Sequence, residues 1–264
     1  MSVPYDPADD PVIRTLIAEA DADPDVLGLV LTGSRATGFI TPTSDYDLAF
    51  VVSDEAAARY KATDSYPLRG HSVTPPISTK DIWSQGLTEF CAEARSRDTL
   101  PDWSIALVLF DRNGSLTTFM DMLRRIPSEE QPRLTAAYYD AYLNSLYRSL
   151  KCWRRGNVLG ARLEAAESVN WMLHTLFALE GRWRPFGSRL SIFLPMLAVQ
   201  GWDSDDLAAQ LLDLLASGEP GQQRAVAQRI IALLRTNGYH HVYESWEGEI
   251  DDALTWQIPG FSQV

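Results

Sequence analysis

The sequence predicts an α/β domain followed by an α-helical domain, and three observations carry that division. Apolar runs of strand length alternate with helical stretches as far as residue 110. Turns rich in Gly, Ser, Thr and Pro separate them. From Leu116 onward the apolar spacing is almost wholly helical.

Taken in order, Val12, Ile13, Leu16 and Ile17 recur at helical spacing and predict a helix from Pro11 to Ala22. A short strand follows over Val26 to Leu31, then a turn region from Thr32 to Ser44 and a second strand from Asp47 to Val52. A weaker strand is expected around His71 to Ile77, where Pro75 and Pro76 suit only an edge or an end. Asp81 to Arg95 reads as a helix, and Ile105 to Phe110 as a strand closed by the turn Asp111-Arg112-Asn113-Gly114. Breaks at Pro127, Gly156, Pro185 to Gly187, Gly201 and Gly218 to Gly221 divide the helical part. The domain boundary is placed at about Pro127, giving domains 1–127 and 128–264.

Composition narrows the function classes. Of 264 residues, 45% are hydrophobic and 22% charged, as in an ordinary globular chain with a substantial core. The net charge of −12 argues against broad, sequence-independent binding to nucleic acid, which needs a basic surface. Two cysteines, Cys91 and Cys152, suggest no disulfide framework and so a reducing cytoplasm. The stretch MSVPYDPADDPV reads as no signal peptide, and no apolar run reaches the roughly 18 residues of a membrane span.

The most informative segment is LGLVLTGSRATGFITPTSDYDLAFVV, Leu27 to Val52. Gly33 lets the backbone approach a phosphate closely, where exposed N–H groups and the Ser34 hydroxyl can donate to its oxygens. Asp45 and Asp47 bracket Tyr46 at the start of the second strand, so alternation sends both carboxylates to one face and Tyr46 to the other. Two carboxylates opposite a phosphate turn can hold magnesium between protein and triphosphate oxygens.

This segment resembles the G-S…D-x-D signature of the polymerase-β-like nucleotidyltransferases, a superfamily that includes aminoglycoside and lincosamide nucleotidyltransferases. The resemblance implies a mixed-sheet nucleotidyltransferase fold. It also implies that Gly33 and Ser34 hold a nucleoside triphosphate, with Arg35 and Ser44 beside them, and that Asp45 and Asp47 bind Mg2+. The expected reaction moves a nucleoside monophosphate, AMP from ATP, to a hydroxyl of a small acceptor such as an aminoglycoside-like antibiotic. Family members carry a third acid on a later strand, yet Arg69 to Ile77 holds neither Asp nor Glu. Asp111 or a glutamate of the helical domain are the candidates to replace it. The alternatives are a nucleotide-binding pseudoenzyme and an antitoxin-type or regulatory module acting on a protein partner.

In the helical half, Arg148, Lys151 and Arg155 fall at i, i+3 and i+7, a basic stripe suited to the triphosphate or to pyrophosphate. Leu159, Leu163, Ala166, Leu173 and Phe177 trace an expected core stripe, with Glu164 and Glu167 beside it. The resemblance to antibiotic-modifying nucleotidyltransferases, in which a glutamate of a helical region can act as general base, implies Glu167 and Glu164 as the candidate bases. Trp183, Arg184 and Phe186 are weighed as acceptor-pocket residues. His174 reads as a packed histidine, and His240-His241 lack the partners of a zinc site.

Overall fold

The computed structural model describes residues 5–41, 44–63 and 82–261, which divide into two compact units, Met1–Arg125 and Ile126–Val264. In the first unit α1 (Pro11–Ala22) precedes β1 (Val26–Leu31), the single turn α2 (Gly33–Ala36), β2 (Leu48–Val52) and α3 (Asp54–Thr63). After them come β3 (Ile82–Gly86), α4 (Leu87–Ala94), α5 (Leu100–Trp103), β4 (Leu107–Asp111) and α6 (Ser115–Leu123). Among the described residues the sheet has the order β3-β2-β1-β4. β1 pairs antiparallel with β2 and β4, whereas β2 and β3 run parallel, with Leu48 opposite Ile82.

Every residue of β2 is buried, as expected of a strand covered on both faces. Leu48, Phe50 and Val52 join Val12, Ile13 and Leu16 of α1 in one apolar cluster, and Tyr46 extends it. Asp10 caps α1, its Oδ1 accepting from the Val12 and Ile13 amides at 2.9 and 3.4 Å, with Pro11 at the first helical position. At the other end, Arg112 donates to the carbonyls of Ala20, Asp21, Asp23 and Val26 and ties α1 to β1.

One element departs from the sequence expectation. Residues 82–86 form a strand, not the first turns of a helix, and the helix begins only at Leu87. Pairing with β2 overrides the local preference of IWSQG, and Gly86 sits where Asp54 and Ala57 of α3 approach closely. The strand expected at His71 to Ile77 lies outside the described residues.

In the second unit α7 (Gln131–Arg154) and α8 (Val158–Leu179) lie against each other. α9 (Leu190–Phe193), α10 (Ser204–Ala216), α11 (Pro220–Thr236), α12 (His240–Glu244) and α13 (Glu249–Thr255) complete it. The buried face of α8 differs from the expected one. Leu173 and Phe177 are buried, but Leu159 and Leu163 are 72% and 64% exposed and Ala166 is exposed, while Ala161, Ala165 and Ser168 face inward. Small residues let α7 come close enough for Ser149 Oγ to donate to the Ala161 carbonyl at 2.7 Å. Among the described residues no helix is long and apolar enough to cross a membrane, and both cysteines are free thiols.

His174 on α8 lies against Tyr138 and Trp171, its ring centroid 5.0 and 5.6 Å from theirs. Burial, and then the charge of Arg184, pushes its pKa down to about 4. As pH falls below the unfolded value near 6.5, the unfolded chain takes up this proton before the folded one does. The contribution is therefore fully present above about pH 6.5 and falls toward pH 4, by roughly 2–3 kcal/mol. Urea unfolding at pH 7 and pH 4.5 is expected to show His174→Gln losing less stability than the parent. Equal losses would contradict this role for His174.

Candidate functional site

The site grows from the end of β1. Thr32 donates its amide to the Asp47 carbonyl at 2.9 Å, which carries the β1–β2 pairing past the strand ends to the two motifs. Gly33 then turns the chain with φ +73°, in the left-handed region that favours glycine. Its Cα lies so close to the Asp47 side chain that a Cβ there would overlap the carboxylate. Asp47 is half-buried and Asp45 exposed, while Tyr46 between them is buried in the α1 cluster. Tyr46 thus lies in the core beneath the segment, while the Asp47 carboxylate lies against Gly33.

A network beneath the site holds the D-Y-D segment. The Tyr46 hydroxyl donates to Asp10 Oδ2 at 3.0 Å, and Tyr5 donates to the same oxygen at 2.9 Å. Burial, reinforced by Asp10, raises the Tyr46 pKa, and burial pushes Tyr5 up to about 12, so both phenols stay protonated donors. Arg35 reaches the segment from above. Its Nε donates to the Asp45 carbonyl at 2.8 Å and one terminal nitrogen to the Ser44 carbonyl at 3.0 Å. The other lies 3.4 Å from Asp10 Oδ2, and the guanidinium sits 3.7 Å from the centre of the Tyr46 ring. Ser44 Oγ accepts from the Thr41 amide at 2.8 Å. Arg35 and Ser44, expected beside the nucleotide, are engaged inside the domain in shaping the loop that carries Asp45 and Asp47.

Asp10, Thr32 and the hydroxyl of Tyr46 carry no functional signal in the sequence. The Asp10-Pro11 pair was legible as a helix start, but its link to Tyr46 spans 36 residues. Thr32 is 9% exposed, and its buried Oγ1 has no hydrogen-bond partner among the described residues. An unmatched hydroxyl beside Gly33 and Asp47 is a group that a bound polar ligand or ion would satisfy. Gly33→Ala is expected to cost about 1–2 kcal/mol for the left-handed backbone alone, and to push Asp47 out of place. Unchanged stability, measured by urea unfolding, would contradict this geometry.

The remaining candidates are dispersed. Asp111 ends β4 opposite Gly28, at the far end of β1 from Gly33. Its carboxylate caps the next turn, accepting from the amides of Gly114 at 2.9 Å and Thr117 at 2.7 Å. Burial alone would raise its pKa, yet these hydrogen bonds hold it below the ordinary value. Asp111 is thus engaged as a turn opener, opposite Gly28 rather than beside Gly33. On the side away from β1, β2 pairs with β3, and the residue preceding Ile82 in the sequence is Asp81, outside the described residues. Among the described residues no group of three or more His, Cys, Asp or Glu that could hold a metal is present.

In the helical unit the basic stripe divides. Arg148 pairs with Glu164 at 2.6 Å, Lys151 lies over the Tyr147 ring, and Arg155 is exposed just past the end of α7. Glu167 is exposed.

Comparison with known proteins agrees with the motif. Residues 13–82 match the model of the nucleotidyltransferase domain family, a span from α1 to the first residue of β3. No curated protein matches the chain. Among solved structures, a nucleotidyltransferase-like protein from Exiguobacterium sibiricum 255-15 is similar at 18% identity and a TM-score of 0.42. The match covers 91% of this chain and 76% of that one.

Proposed function

We propose, for a chain whose residues 13–82 match the model of the nucleotidyltransferase domain family, that it is a magnesium-dependent enzyme transferring AMP from ATP to a hydroxyl of a small acceptor. The observation that carries this reading is the contact between the Gly33 turn and the Asp47 carboxylate, with the unmatched Thr32 hydroxyl beside it. A carboxylate and a phosphate turn held this close fit a triphosphate with its cation. Asp45 and Asp47 would hold the metal, and Gly33 and Ser34 the phosphates. When bound, magnesium would neutralise charge on the triphosphate and on the departing pyrophosphate.

The chain's own residues supply position. Arg35, Tyr46 and Asp10 fix the backbone that presents the two carboxylates, so little reorganisation is left for the moment of reaction. The acceptor oxygen attacks the α-phosphate, the bond between the α-phosphate and the bridging oxygen breaks, and the acceptor proton passes to a base. Glu164 is engaged by Arg148, which leaves Glu167 as the helical-unit candidate for that base. On sequence position, Asp81 is the first candidate for the third acid. Asp81→Asn and Glu167→Gln separate the two. Loss of turnover with Asp81→Asn alone identifies Asp81 as the third acid.

The negatively charged chain suits a small, cationic acceptor such as an aminoglycoside better than a polynucleotide. Titration with a non-hydrolysable ATP analogue, with and without magnesium, tests the donor half of the reading. Saturable binding that requires the metal supports it, and equal binding without the metal contradicts it.

A further inference from the structure

The segment after α8 holds an arginine whose surroundings do not match its charge. Arg184 is half-buried, and its buried Nε has no hydrogen-bond partner among the described residues. Among those residues no carboxylate pairs with it, and burial lowers its pKa. A guanidinium carries five N–H donors, and charges withdrawn from water are ordinarily paired. Partners are not scarce, since the chain has 35 acidic residues against 23 basic ones. The group near it that titrates is His174, whose low pKa keeps it uncharged near neutral pH and able to supply an N–H but no counter-charge. Beside His174 the Tyr138 and Trp171 rings stack with centroids 6.0 Å apart and planes 26° from parallel, both partly exposed.

We propose that Arg184, His174 and the Tyr138–Trp171 pair form a binding site for a flat ring that carries a carboxylate or phosphate group. The guanidinium takes the oxyanion, His174 donates to it, and the aromatic pair supplies an apolar surface for the ring. A cationic ring is excluded by the same unpaired charge. The site stands on the helical unit alone and does not depend on the nucleotidyl-transfer reading.

Calorimetric titration of the full chain at pH 7.5 with phenyl phosphate, benzoate and phenol tests it. At least one of the two anions is expected to bind saturably and phenol not at all, and the tighter anion identifies the oxyanion recognised. Arg184→Gln is expected to weaken that binding at least tenfold, and Trp171→Leu to weaken it as well. Asp47→Asn should leave it unchanged, which separates this site from the triphosphate turn. Because Arg184→Gln removes an unmatched charge, its melting temperature is expected to equal or exceed that of the parent. The proposal is overturned by any of three results: no saturable binding of either anion, unaltered affinity in Arg184→Gln, or a lower melting temperature in that variant, which would mark Arg184 as structural.

Discussion

Asp47→Asn is expected to abolish magnesium-dependent binding of a non-hydrolysable ATP analogue while leaving the fold intact, a loss of a hundredfold or more in affinity. Asn keeps the shape of the side chain that packs against Gly33, so the turn retains its geometry. What disappears is the negative charge, and a hard cation such as magnesium depends on charged oxygen ligands. Asp45→Asn is expected to weaken binding in the same direction but less, because Asp45 is exposed and water can replace one of its oxygens. The measurement is a calorimetric titration of nucleotide at several magnesium concentrations. Metal-dependent binding that survives Asp47→Asn would remove Asp47 from the site.

The second large effect is expected at Asp10, a residue in no direct contact with the proposed ligand. Its carboxylate caps α1, accepts from two tyrosines and faces Arg35, with side chains of Asp10 and Arg35 only 7% and 13% exposed. Asp10→Ala loses the cap, worth about 1 kcal/mol, and leaves the partly buried Arg35 guanidinium without its counter-charge, which costs about 1–3 kcal/mol more. Asp10→Asn retains an oxygen for the cap and is expected to fall between Asp10→Ala and the parent. Urea unfolding measures both. Metal-dependent nucleotide affinity is expected to fall in the same order, since the D-Y-D segment hangs on this network through Tyr46 and Arg35. A variant as stable as the parent would show that the network carries no load.

The parts of the fold legible in the sequence are those with strong local signals. α1 announces itself through Asp10-Pro11 and the spacing of Val12, Ile13 and Leu16, and β1 and β2 through uninterrupted apolar runs. The Gly33 turn and the i, i+2 aspartates were legible because each motif lies within a few residues of chain. β3 was not, because IWSQG has no alternation of its own and becomes a strand by pairing with β2. The helical expectation over 81–95 followed from reading that stretch without its partner. The buried face of α8 was misjudged for a related reason. Leucines suggest a core, but close approach to α7 selects Ala161, Ala165 and Ser168 and turns Leu159 and Leu163 to solvent. The place of Arg35 beside Gly33-Ser34 was legible, but its hydrogen bonds to Ser44, Asp45 and Asp10 were not, because those partners lie 9, 10 and 25 residues away and only folding brings them together.

The central claim, nucleotidyl transfer to a small hydroxylated acceptor, is tested most directly by pyrophosphate release. The parent chain is incubated with ATP, magnesium and a panel of hydroxylated amines, aminoglycosides among them, and pyrophosphate is quantified with Asp47→Asn as the blank. The account predicts release that requires both magnesium and one member of the panel, matched mole for mole by adenylylated product in mass spectra, and absent in Asp47→Asn. Release at the same rate from the parent and from Asp47→Asn, or metal-dependent nucleotide binding with no release for any acceptor, would contradict it.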